Sequence, residues 1–161
     1  MIQTHISCVF LAGDQVFKVK KAVRFPFLDF STLERRRHFC EQEVRLNRRL
    51  APGVYLGVVP IVRSGARYRV GGVGEPVEYA VHMRRLPEGR VLRGLVERGG
   101  ADAGLMQRIA AKMAAFHAQA ETGPAITAGG APDAIGHTLR ENFSTLAPLV
   151  AALVLPGTFT D

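Results

Sequence analysis

A chain of 161 residues, 47% apolar and 22% charged, has the composition of an ordinary globular protein of one domain or one and a half. No apolar run approaches the roughly 18 residues of a membrane span, and the start MIQTHISCVF lacks the basic stretch and cleavage site of an export signal, so a cytoplasmic protein with no membrane partner is expected. The net charge of +7 is uneven, with 18 Lys/Arg against 9 Asp/Glu in residues 1–100 and 3 against 5 in residues 101–161, which points the first part toward an anionic ligand.

Residues 6–11 and 16–22 read as strands joined by AGDQ, a turn suited to a hairpin. In VFKVKK, Phe17 and Val19 alternate with Lys18 and Lys20, so the apolar side is expected to be buried. The lysine side is then either solvated or aimed at an anion. RFPFLDF interrupts the pattern, and Ser31-Thr32-Leu33-Glu34 has the form of a capping box opening a helix that runs to about Leu50 and stops at Pro52-Gly53. LGVVPIV (56–62), ARYRV (66–70) and VEYAVHM (77–83) are expected as three further strands, separated by RSG and by GGVGEP, the latter read as a hairpin turn. A short helix is expected over 91–98 and a longer one over 101–120. A mobile small-residue loop is expected over 122–137, then two short helices in ENFSTL and PLVAALVL. Cys8 and Cys40 have no metal or redox spacing and are expected to be buried, reduced thiols.

On the helix over 31–50, Glu34, Arg37, Glu41, Arg45 and Arg48 share a charged face, and the Arg35-Arg36-Arg37 run is expected to decorate it. Phe39, Leu46 and Leu50 cluster opposite, and Glu43 lies on their line. A carboxylate in an apolar arc calls for a cation facing it, and the strand over 16–22 can offer one. Spacing alone leaves open a purely structural ion pair, or a Glu43 that reaches water.

The order of elements matches a protein-kinase-like small lobe: hairpin, lysine-bearing strand, helix with an inward Glu, more strands, then helices. The segment VFKVKKAVRFPFLDFSTLERRRHFCEQEVRLNRRLAPGVYLGVVPI resembles the aminoglycoside-phosphotransferase-like kinases, closest to the bacterial branch in which such a domain precedes a P-loop ATPase domain. The resemblance covers most of residues 4–120 and is strongest over 16–61. It implies an α+β, protein-kinase-like fold, with an antiparallel small lobe over 1–86 containing one inserted helix and the start of a helical large lobe over 87–161. It also implies ATP and Mg²⁺ as cofactors, and nucleotide plus a small hydroxyl-bearing substrate as partners.

By that resemblance Lys18 takes the phosphate-lysine position, with Lys20 as the alternative on the same face, and Glu43 takes the helix-glutamate position. Val16 would pack on the adenine and Met83 would back the adenine pocket. The backbone of Arg84, Arg85 and Leu86 would supply hydrogen bonds to the base, and the turn THIS would cover the nucleotide through Ser7 and His5. No histidine precedes Gly-Asp and no D-x-x-x-x-N or G-x-x-x-x-G-K-[ST] occurs, so catalytic residues are expected to be absent and the chain is expected to be a truncated kinase domain, inactive by itself. A first strand before THIS is expected to be missing, and apolar surface left uncovered would favour self-association. The alternative is a non-catalytic, pseudokinase-like nucleotide-binding or regulatory module. Nucleic acid is not expected as a partner, since no recognition motif accompanies the basic charge.

Overall fold

The computed structural model describes the backbone of residues 1–153 and the side chains of residues 1–148. Met1–Phe116 forms one compact unit and the chain from His117 onward another. The first unit is built on an antiparallel sheet, so the class is α+β as expected.

The hairpin joins β2 (Ser7–Ala12) to β3 (Gln15–Lys20), in register from Ser7 opposite Lys20 to Ala12 opposite Gln15. Only Gly13 and Asp14 are left to turn the chain, and Gly13 does so at φ 61°, where a side chain would be strained. The first strand, expected to be missing, is present as a two-residue edge, β1 (Ile2–Gln3), paired through Ile2 with Val9. RFPFLDF is a miniature hairpin of β4 (Arg24–Phe25) and β5 (Leu28–Asp29), not a plain interruption.

Helix α1 (Leu33–Arg48) is capped by Thr32, whose hydroxyl accepts from the Arg35 amide. The N-cap is therefore one residue later than expected, and with Arg35 at the third helical position the reciprocal half of a capping box is absent. Ser31 is occupied elsewhere, donating to Asp29 through both its amide and its hydroxyl. β6 (Tyr55–Ser64), β7 (Arg67–Val70) and β8 (Pro76–Arg84) complete the sheet in the order β1-β2-β3-β8-β6-β7. GGVGEP is thus not a hairpin turn, because β7 and β8 flank β6 on opposite sides. It crosses over the β6 bulge at Ile61/Val62, and a side chain at Gly74 (φ 149°) would come within 3.4 Å of Val62, which is 2% exposed.

A 3-10 turn (Glu88–Arg90), α2 (Leu92–Glu97) and α3 (Ala103–Ala118) follow. Two expectations fail in the second unit. Residues 122–137 are not a loop: α4 (Pro124–Gly129) starts with proline in its first turn, where a missing N–H costs nothing, and α5 (Pro132–Leu153) follows at once. ENFSTL and most of PLVAALVL belong to this single helix, which passes through Pro148; the last two residues of that stretch, 154–155, lie outside the described residues. No helix among the described residues is long and apolar enough to cross a membrane.

The core lies between α1 and the sheet. Cys40 and Val44 pack on Val81 of β8, with Tyr55, Val58, Tyr79 and Met83 around them. Burial pushes the Cys40 thiol up to about 11, whereas Cys8 on β2 is partly exposed rather than buried. Native protein treated with a disulfide reagent should therefore react at Cys8 and leave Cys40 untouched until denaturant is added, as mass spectrometry of the adducts would show. Rapid labelling of Cys40 in the native state would contradict this packing.

The lysine strand is inside out relative to expectation. Lys18 and Lys20 point at α1, and Lys20 is only 6% exposed. Phe17 and Val19 instead line a shallow depression on the other face with Phe10, Ile61, Tyr68 and Val70. His82 stacks on Phe17 with ring centroids 4.8 Å apart and bonds Gln15.

Candidate functional site: one carboxylate between two lysines

A helix lying on a sheet turns a stripe of residues three, four and seven apart toward it. On α1 that stripe is Arg36, Cys40, Glu43 and Val44; Phe39 and Leu46, expected at its centre, sit at its edge and are partly exposed. Two of the four inward residues carry charge, and each meets its opposite on the sheet. Lys18 Nζ donates to Glu43 Oε1 at 2.9 Å, and Lys20 Nζ donates to Glu43 Oε2 at 2.7 Å. Two turns earlier, Arg36 Nε lies 2.9 and 2.8 Å from the Glu78 carboxylate oxygens, and its Nη1 donates to the Phe30 carbonyl at 3.0 Å. Arg36 is therefore buried, not a decoration of the charged face. Its signal was available: Arg36 stands seven residues before Glu43, and residues seven apart share a helix side.

The Glu43 carboxyl is subject to opposing effects. Burial pushes it up, but the hydrogen bonds and charges of Lys20 and Lys18 outweigh burial and hold it below the ordinary carboxylate range. The two lysines differ in setting. Lys18 has 29% of its side chain exposed, while Lys20 is enclosed, its ammonium 4.9 Å from the centre of the Phe30 ring. Opposite Lys20, Ser7 is fully buried and its hydroxyl has no hydrogen-bond partner among the described residues. The turn before it is tied to itself, since Ser7 N donates to Thr4 Oγ1 at 3.0 Å and Thr4 N to the Ser7 carbonyl at 2.9 Å. His5 is exposed on that turn.

Two residues before Lys18 along β3, at Val16 on the same face, the sheet opens into an apolar cleft of about 320 Å³. Val16 and Met83, direct cross-strand partners, form its floor, with Ile2, Leu11 and Tyr55 at the sides and Arg84, Arg85 and Leu86 along the end of β8. The Arg84 amide donates to Val54 O at 2.8 Å and the Arg85 amide to Asp14 O at 2.7 Å. Of these three amides, Leu86 N–H is the one without a backbone partner among the described residues. The residues expected around an adenine thus line one cleft, and the expected phosphate lysine and helix glutamate form one ion pair beside it. The side residues Ile2, Leu11 and Tyr55 were not anticipated, because strand pairing rather than sequence proximity brings them there. No group of three or more His, Cys, Asp or Glu side chains among the described residues converges as a metal site.

Among curated proteins, an uncharacterized protein of Mycobacterium bovis and uncharacterized proteins of two Mycobacterium tuberculosis strains are each 37% identical to the chain over 144 residues, 89% of it. The chain spans 27% of the length of these relatives. No family profile matches the sequence, and no solved structure does.

Proposed function

We propose that this chain carries the nucleotide-binding lobe of a kinase-like phosphotransferase that works in the cytoplasm on a small hydroxyl-bearing substrate. The observation that carries the reading is a lysine held by an inward helix carboxylate, two residues along β3 from the floor of an apolar cleft and on the same face. That cleft has the size and lining of a small-ligand site: mostly apolar walls and, at the end of β8, the Leu86 amide with the Arg84, Arg85 and Glu88 side chains. In this reading Val16 and Met83 lie side by side under one face of the base of ATP, Leu86 N–H meets its edge, and Lys18 binds the phosphates because it is the more exposed lysine. The nucleotide supplies the transferable phosphoryl group. The described residues offer no ligand set for Mg²⁺, which in this reading accompanies the phosphates.

Mg-ATP titrated into the millimolar range tests the reading by thermal shift. At tenfold excess over Kd, binding adds about 1.4 kcal/mol and raises the melting midpoint by roughly 4 °C. Lys18→Ala is expected to abolish the shift with an unchanged far-UV spectrum. No shift in the wild type, or the same shift in the variant, would overturn the assignment.

A further inference from the structure

We propose that Lys20 is a positioning residue, the permanent counter-ion of Glu43, which frees Lys18 to leave the carboxylate and meet a phosphate group. The inference rests on the reading of Lys18 given above. Glu43 presents one oxygen to each ammonium, so the lysines do not compete for the same site. Their surroundings divide the work. Lys20 has the shorter bond, is 6% exposed and is closed in by the Phe30 ring and by Ser7 across the hairpin. Lys18 lies next to the cleft residue Val16 along β3 and retains access to solvent.

An ammonium has three N–H donors but one charge, so a single lysine drawn toward a phosphate would hold the carboxylate less strongly. Drawing the sole cation away from a carboxylate that is 15% exposed would strand a buried charge. With Lys20 in place, Glu43 keeps a charge-assisted hydrogen bond when Lys18 swings out. The three groups together carry one net positive charge, which an anion entering the cleft offsets. Besides the two lysines, the Cys40 thiol on its own helix faces Glu43, and Glu78 on β8, which faces Cys40, is engaged by Arg36. Neither can replace Lys20 as a cation.

The test uses this chain with ¹⁵N-labelled lysines and ¹³C-labelled glutamate carboxyls, titrated with inorganic pyrophosphate. In the wild type the Lys18 Nζ signal should follow pyrophosphate, while the Lys20 Nζ and the ionised Glu43 signal stay in place. Lys20→Met should weaken pyrophosphate binding about tenfold, the size expected for one charged hydrogen bond. It should also raise the Glu43 titration midpoint more than Lys18→Met does, and Lys20→Arg should restore both. If Lys20 Nζ follows pyrophosphate while Lys18 Nζ does not, the roles are reversed and the proposal fails. It also fails if Lys20→Met changes neither the affinity nor the midpoint. Should Lys20→Met not fold, the wild-type Nζ signals and the Lys20→Arg variant still decide. Should the wild type bind no pyrophosphate, the phosphate reading of Lys18 falls, and the Glu43 midpoints alone decide whether Lys20 is its dominant counter-ion.

Discussion

Glu43→Ala should destabilise the first unit by about 3–5 kcal/mol, the usual cost of removing one partner from a buried ion pair. In melting experiments this is a fall of roughly 10 °C. The loss is large because the deletion strands Lys20, which at 6% exposure has no route to water, and removes the partner of Lys18. Glu43→Gln keeps the shape and one acceptor and should cost less. The pH dependence has a definite sign. The folded carboxyl sits below its ordinary value near 4.5, so its contribution is complete above that value and disappears as pH falls through the folded one. The wild type should therefore lose stability more steeply below about pH 4.5 than Glu43→Gln does. Parallel acid limbs for the two proteins would show that the carboxylate is not the inward charge described above.

Arg36→Ala should be nearly as damaging, about 3 kcal/mol, since it leaves Glu78 unpaired and the Phe30 carbonyl short of a donor. Arg36→Lys should recover only part of the loss, because one ammonium cannot reach both Glu78 and the Phe30 carbonyl as the guanidinium fork does. Arg35→Ala and Arg37→Ala are the controls. Both side chains are largely exposed and should leave the melting midpoint close to wild type. Equal effects across the three arginines, measured by chemical denaturation, would refute the special placement of Arg36.

The contrast among these neighbours shows what sequence periodicity can and cannot reveal. Alternation in VFKVKK was enough to put Lys18 and Lys20 on one side of a strand, and helical spacing was enough to turn Glu43 inward. Periodicity says which residues share a side, not which side is covered. Apolar bulk pointed to Phe17 and Val19, yet α1 covers the lysine side. Arg36 was misjudged for a related reason. Its partner Glu78 lies 42 residues away, and only the placement of β8 between β3 and β6 brings the two together. GGVGEP failed in the same way, since nothing local says that β7 and β8 pair with a common neighbour. In the second unit, small residues pointed to a loop over 122–137, yet Pro124 sits in the first turn of α4, and Pro148, expected to open a separate helix, is carried within α5.

The opposite signs of the two inward charges on α1 give the helix a polarity of its own, like a keyed plug. Turned end for end on the sheet, it would press Arg36 against Lys18 and Lys20, and Glu43 against Glu78. Both ends would then repel, so a misdocked helix is penalised twice while the correct seating is rewarded twice. The same charges that tie α1 to the sheet thereby ensure that the helix arrives there pointing the right way.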